Sequence, residues 1–382
     1  MKRDLLLVSI ALMTWGIGEG MFLLFQPLYL QELGANPVMI GSIMSIIGIA
    51  MSVAHLPAGY LADRFGRRPL MLSAWFLGST AAWIMALSPS LPIFVLGSAL
   101  YGLTSFVMVP LNSYVTAARG NWSVGRALTL IAAIYNIGAI LGPLLGGWIG
   151  DRWGLQTNFK VAAIIFMTSS LLIVFIRSQP VELYAAQSES GRWRSTLSGT
   201  FLRYGFVVFF VLFSMNIPLT LSQNFLQNER GIELAQIGRL ISARSIGIVA
   251  LNLMLGQINA KLGFLISQAA MGFSALLLWQ GGSMPAFTLG YLLMGSQQTA
   301  RSLATAQGRV LVKAANMGIA YGMLETAAAL ANILAPAMAG ILYSLQPNFI
   351  YSTSLIFIAA AILLTILFSP IKRKHMVQIE KE

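Results

Sequence analysis

The sequence predicts an all-α integral membrane protein of twelve transmembrane helices, arranged as two six-helix pseudo-repeats. Composition sets the solvent: 57% of the 382 residues are hydrophobic, only 9% are charged, and the mean hydropathy is +0.76. A soluble domain carries roughly 25% charged residues. The apolar runs are longer than the roughly 18 residues that mark a bilayer-crossing helix. The chain also repeats itself. Gly59, Gly66 and Arg64 recur as Gly256, Gly263 and Lys261, and Gln26, Glu32, Gly34 and Gly41 recur 197 residues on as Gln223, Glu229, Gly231 and Gly238. Further along, Pro92, Gly97 and Gly102 recur 193 residues on as Pro285, Gly290 and Gly295, and Pro143 recurs as Pro336. A fused duplication in a hydrophobic chain points to a transporter with its site between the halves.

The spans follow in order. The first six are expected near 5–30, 38–61, 70–87, 91–116, 126–149 and 159–177, and the second six near 205–228, 236–259, 264–281, 285–307, 317–343 and 349–368. The domains are therefore an N-terminal six-helix bundle (1–177), a polar linker (178–204) and a C-terminal bundle (205–382) with a short charged tail. No cysteine is present, which excludes disulfides and thiolate chemistry. No cleavable signal peptide is evident, because the first apolar run is too long for one.

Basic residues fix the expected orientation. Lys2, Arg3, Arg64, Arg67, Arg68, Arg119, Arg126, Arg177, Arg192 and Arg194 fall on the side of the termini, whereas Arg152, Lys160, Arg230 and Arg239 fall opposite. Basic loops stay cytoplasmic, so both termini are placed inside a plasma membrane. The net charge of +12 then reflects topology and attraction to anionic lipids, not nucleic-acid binding.

The loop from Gly59 through Asp63, Arg64 and Gly66 to Arg67 and Arg68 resembles the loop between helices two and three of the major facilitator superfamily. With the duplication, the twelve spans and the central linker, the resemblance covers essentially the whole chain. It implies a secondary transporter in which Gly59, Asp63, Arg64, Gly66, Arg67 and Arg68 form a conformational latch, with Asp63 meeting the start of helix eleven near Met317. A second stretch, Gly138, Gly142, Pro143, Gly146 and Gly147, is a close-packing pattern of small residues. It resembles the helix-five signature associated in the family with exporters and antiporters. Two departures stand out: Thr129 replaces a glycine upstream of that signature, and Ser98 occupies the place of a basic residue linked to proton coupling.

Ionisable residues within spans carry the expected mechanism, because charge in the bilayer is expensive and is kept for function. Glu19 on span one and Glu325 on span eleven are the proton-coupling candidates. Asn216 is the repeat partner of Glu19, and Gln26 and Gln223 follow each of them at i+7, on a shared helical face. Span ten is polar throughout Ser296, Gln297, Gln298, Thr299, Arg301, Ser302 and Thr305. The cavity candidates are Gln26, Asn216, Gln223, Arg244, Gln297, Gln298, Arg301, Tyr321 and Asn332, with aromatic Phe22, Phe25, Tyr101 and Tyr135 able to line the same space. Arg244 and Arg301 each have an alternative, which is to snorkel to the headgroups. His55 near Pro57 is expected to pack. No phosphate loop, Walker-type lysine or metal-ligand spacing occurs, so neither an enzyme nor a cofactor or metal site is expected. The preferred function is proton-coupled efflux of an amphipathic or lipophilic small molecule by a monomer working through alternating access. A symporter or uniporter for a sugar or organic anion stays open, as does a lipid flippase or transporter-like sensor.

Overall fold

The computed structural model describes residues 3–55, 64–178, 199–308, 311 and 317–369. Among them every regular element is a helix. Among the described residues, eleven helical stretches are long and apolar enough to cross a membrane. The twelfth crossing, span ten, falls short because it is broken and polar: Met284–Met294 ends at Gly295, and Ser296–Gly308 resumes. The chain is an integral membrane protein of the predicted all-helical class.

Four spans differ from the expected continuous helices, and they form two repeat-related pairs. Span one is Arg3–Phe22 followed, after a turn at 23–25, by Gln26–Glu32. Span seven breaks at the corresponding place, with Gly199–Thr220 and then Ser222–Arg230. Span four is Leu91–Leu103, a 3-10 stretch Thr104–Val107 and Met108–Ala118. Its partner is the broken span ten. Non-helical backbone at membrane depth survives only where protein or water satisfies it, so these breaks mark interior helices. The remaining spans are Pro37–His55, Arg67–Leu87, Val124–Trp153, Leu155–Val174, Leu234–Leu255, Ala260–Gln280, Met317–Leu345 and Phe349–Phe368. Span five runs through Pro143 without interruption. Local chemistry sets the ends: Ser123 accepts from Arg126 N at 3.2 Å to cap span five, and Asn259 accepts from Lys261 N at 2.9 Å to cap span nine. Gly154, at φ +81°, makes the tight connection between spans five and six.

The residues cluster into two compact units. One holds Met1–Ala186, Thr220–Ile246 and Pro336–Pro347, and the other holds Gln187–Leu219, Gly247–Ala335 and Asn348–Glu382. The first unit is organised by a core that includes Leu12, Met71, Trp75, Tyr114, Ile131 and Ile173. Serines stitch its helices where lipid offers no driving force. Trp75 Nε1 donates to Ser169 Oγ at 3.0 Å, and Ser169 Oγ donates to the Ala11 carbonyl at 2.6 Å.

In each unit the helix end on the termini side is tied by a cation. Arg68 donates through Nε and Nη2 to the Ile176 and Val174 carbonyls at 2.7 and 3.0 Å, closing the C-terminus of span six. Lys261 Nζ donates to Ile366 O and Ser369 O at 3.1 and 3.3 Å at the end of span twelve. A cation on the last carbonyls also meets the negative end of the helix dipole. Lys261, which aligns in sequence with Arg64, thus does in space what Arg68 does. Tyr114 Oη donates to the Arg177 carbonyl at 2.8 Å, and its repeat partner Gln307 bonds Ser369.

Candidate functional site

In the first unit the site centres on Glu19. It lies on span one among Gly16, Gly18 and Gly20, which let other helices approach. A Cβ on Gly20 would lie 2.8 Å from Pro143 Cδ and 3.2 Å from Gly142 Cα. One on Gly142 would in turn lie 2.8 Å from Gly20 Cα, and one on Gly138 2.8 Å from Ile17 N. Glycine against glycine brings span five onto span one. That approach delivers Tyr135, whose hydroxyl donates to Glu19 Oε2 at 2.7 Å. Among the described residues no cation pairs with Glu19. Behind it Trp15 stacks on Tyr101 at 6.1 Å, and Phe166 meets both rings.

Gln26 does not continue Glu19's helical face, because the turn at 23–25 separates them. Its Nε2 donates instead to Ser98 Oγ at 2.6 Å, deep in the unit. Ser98 therefore holds a glutamine at the position where the family places a base. Phe22 and Phe25, expected to line a cavity, are core residues at 1% and 0% exposure. Gln223 is also buried, accepting from Ser222 Oγ at 3.2 Å, and Arg244 is half-buried.

The second unit holds the remaining candidates. Arg301 forms an ion pair with Glu325, Nη2 to Oε2, with the two side chains 35% and 50% exposed. This contact gives Arg301 a carboxylate partner on span eleven. Asn216 Nδ2 donates to Asn332 Oδ1 at 2.8 Å. That bond joins spans seven and eleven as Glu19–Tyr135 joins spans one and five; Asn216 is the repeat partner of Glu19, whereas Tyr135 corresponds to Ala328 at the offset of span five. Gln298 is exposed, Gln297 is buried and Tyr321 is half-buried.

The helix-five pattern faces two ways. Gly138, Gly142 and Gly146 meet span one, whereas Gly147 meets span eight, where a Cβ would lie 2.6 Å from the Leu234 carbonyl and 3.0 Å from Gly238 Cα. The repeat copy of that contact is present as well. A Cβ on Gly340 would lie 2.5 Å from the Pro37 carbonyl and 3.2 Å from Gly41 Cα. Sequence reasoning noted Gly41 and Gly238 as repeat matches and gave them no role, and it missed Tyr135 as the carboxyl's partner. The signal for Tyr135 was its place just before Gly138 on span five.

Of the latch, Gly59 and Asp63 lie outside the described residues, as do the side chains at the start of span eleven and of His55. Gly66 takes φ +82° at the N-terminus of span three, and Arg64 lies 5.6 Å over the Phe65 ring. Arg67 begins span three and Arg68 caps span six.

These features define a membrane transporter. The chain belongs to the Major Facilitator Superfamily, whose model matches residues 8–223, more than half of its length. It is 23% identical over 352 residues to "Multidrug resistance protein 2" of Bacillus subtilis (strain 168), covering 87% of each chain. It is 28% identical over 197 residues to "Multidrug resistance protein MdtG" of Klebsiella pneumoniae (strain 342), a match spanning about half of each, 50% and 48%. Among solved structures, a point mutant of the nucleoside transporter NupG matches with a TM-score of 0.83 at 16% identity, covering 96% of this chain and 99% of that one. A D-xylose-proton symporter matches with a TM-score of 0.75 at 15% identity, covering 96% and 97%. At such identities these two speak for the fold. Members of this superfamily carry small molecules and are not enzymes.

Proposed function

We propose that this transporter exports an amphipathic or lipophilic small molecule in exchange for protons, with Glu19 as the proton carrier. The observation that carries the reading is the Glu19 carboxyl bonded to the Tyr135 hydroxyl, with no cation on it among the described residues. A carboxyl held by a neutral hydroxyl takes up and releases a proton without breaking an ion pair. Relatives named for multidrug resistance support the efflux direction. In this reading the aromatic wall behind Glu19 favours apolar cargo, and Gln26, Asn216, Gln223, Arg244, Gln297, Gln298, Arg301, Tyr321 and Asn332 are the substrate-cavity candidates, with Glu325 as a second proton-coupling candidate. The chain works as a monomer in the plasma membrane with both termini cytoplasmic, as its basic loops favour. Residues 1–177 and 205–382 form the two bundles, the linker 178–204 joins them, and the latch from Gly59 to Arg68 acts at the cytoplasmic face.

The Arg301–Glu325 pair favours a second reading, in which an organic anion takes Glu325's place on the guanidinium and the transporter is a symporter. One experiment separates the two. Proteoliposomes with an imposed pH gradient are screened with lipophilic cations and with organic anions. Accumulation of cations against an opposing proton gradient supports export, and anion uptake along the gradient supports symport. Activity that is indifferent to the gradient overturns both.

A further inference from the structure

At the end of the first unit away from the chain termini, a hydrogen-bond network closes that end, and no proposed site residue takes part. Gln31 and Asn228 bond reciprocally: Gln31 Nε2 donates to Asn228 Oδ1 at 3.0 Å, and Asn228 Nδ2 donates to Gln31 Oε1 at 3.0 Å. The two positions are 197 residues apart, so each is the other's repeat copy. Asn224, 1% exposed, donates to Gln31 Oε1 at 2.8 Å and to the Pro27 carbonyl, again 197 residues away, at 3.1 Å. Asn228 also donates to Tyr343 Oη at 3.3 Å. Spans one, seven and eleven are thereby joined by amides and one phenol. Glycine contacts flank the network: Gly41 against Gly340, and Gly147 against Gly238.

We propose that Gln31, Asn224, Asn228 and Tyr343 form an uncharged lock that sets how much of the population is closed at this end, and that the lock opens and re-forms in each transport cycle. The chemistry suits a reversible gate. A reciprocal amide pair satisfies a donor and an acceptor on each side, and water re-satisfies all of them on opening, so each bond contributes only modestly. Losing one bond should change the closed-to-open ratio several-fold without unfolding the chain. An ion pair in the same place would leave charges to desolvate at every closure.

The test uses the full-length chain, which has no native cysteine. Spin labels are placed at Glu32→Cys and Glu229→Cys, exposed repeat partners beside the lock, and distances are measured in nanodiscs. A Glu19→Gln background keeps the proposed proton carrier out of the readout, so this proposal can fail independently of the efflux reading. Asn228→Ala, which removes three of these bonds, should lower the closed-to-open ratio at least several-fold, and the swap Gln31→Asn with Asn228→Gln should restore it. The isosteric pair Gln31→Glu with Asn228→Asp should open at about pH 8, where both carboxylates are charged, and close again at about pH 4, where protonation restores hydrogen bonding. Distances that stay closed in the acidic pair at the higher pH overturn the proposal, as does opening that persists at the lower pH, or a swap that behaves like Asn228→Ala.

Discussion

Glu19 and Glu325 are both carboxyls within spans, but their partners separate them. Glu19 is held by a hydroxyl, Glu325 by a guanidinium. Glu19→Gln is therefore expected to abolish gradient-driven accumulation while substrate exchange continues, measured as counterflow against net flux in proteoliposomes. The Arg301–Glu325 pair is open enough for water to weaken it, so removing it should cost no more than about 1 kcal/mol of stability. Thermal unfolding of Arg301→Ala with Glu325→Ala checks this, and a loss of several kcal/mol would mean that the pair is buried in the working protein. Accessibility sorts the cavity candidates further. In the Cys-free chain Gln298→Cys should react quickly with a membrane-impermeant thiol reagent, and Gln26→Cys slowly, because Gln26 is 1% exposed and bonded to Ser98. Equal rates would contradict this ordering.

Spans five and eleven show how far an element's job is written in its residues. At the repeat offset Gly138, Gly142 and Gly146 become Ala331, Ala335 and Ala339, whereas Pro143 and Gly147 are kept as Pro336 and Gly340. The glycines that became alanine in the copy are those that, in span five, pack within their own half. The retained glycine is the one that meets a helix of the other half. Only that approach demands the absence of a Cβ in both copies. Gly340→Val and Gly147→Val should thus each cost about 1–3 kcal/mol by overpacking, whereas Ala335→Gly should cost only about 1 kcal/mol in helix propensity. Unfolding midpoints of the three variants test the order. The helix-five pattern was legible as close packing from spacing alone, but which glycine faced which helix was not. The breaks were harder to read. Gly295 stands at the interruption of span ten but reads as part of a continuous span, and the turn at Leu23, Leu24 and Phe25 carries no glycine or proline, its signal being Pro27 at the start of the next helix.

At the scale of the whole molecule, composition and the 197-residue repeat were enough to give class, span number and duplication, because bilayer thickness and backbone satisfaction leave few alternatives. Side-chain pairing was less legible. Glu19–Tyr135 and Arg301–Glu325 join spans far apart in sequence, and no local pattern specifies such contacts. The latch at the start of span eleven is still open to experiment: Asp63→Asn should shift the population toward the inward-open state and slow transport, with expression preserved. Spectroscopic distances between loops of the two halves on the side of the chain termini report it, and unchanged distances with lost transport would assign Asp63 another role.

The paired glycine contacts have a further consequence. Gly41 meets Gly340, and Gly147 meets Gly238. Under the repeat, Gly41 maps onto Gly238 and Gly147 onto Gly340, so each contact is the other with its partners exchanged. Residue i touching j while j touches i is the signature of an isologous interface between two identical subunits. Gln31 and Asn228, each bonded to its own counterpart, sit where the two-fold axis of such an assembly would pass. Around these shared contacts the two copies differ in their polar pairs: the first carries the acid and phenol of Glu19 and Tyr135, the second the neutral amides of Asn216 and Asn332.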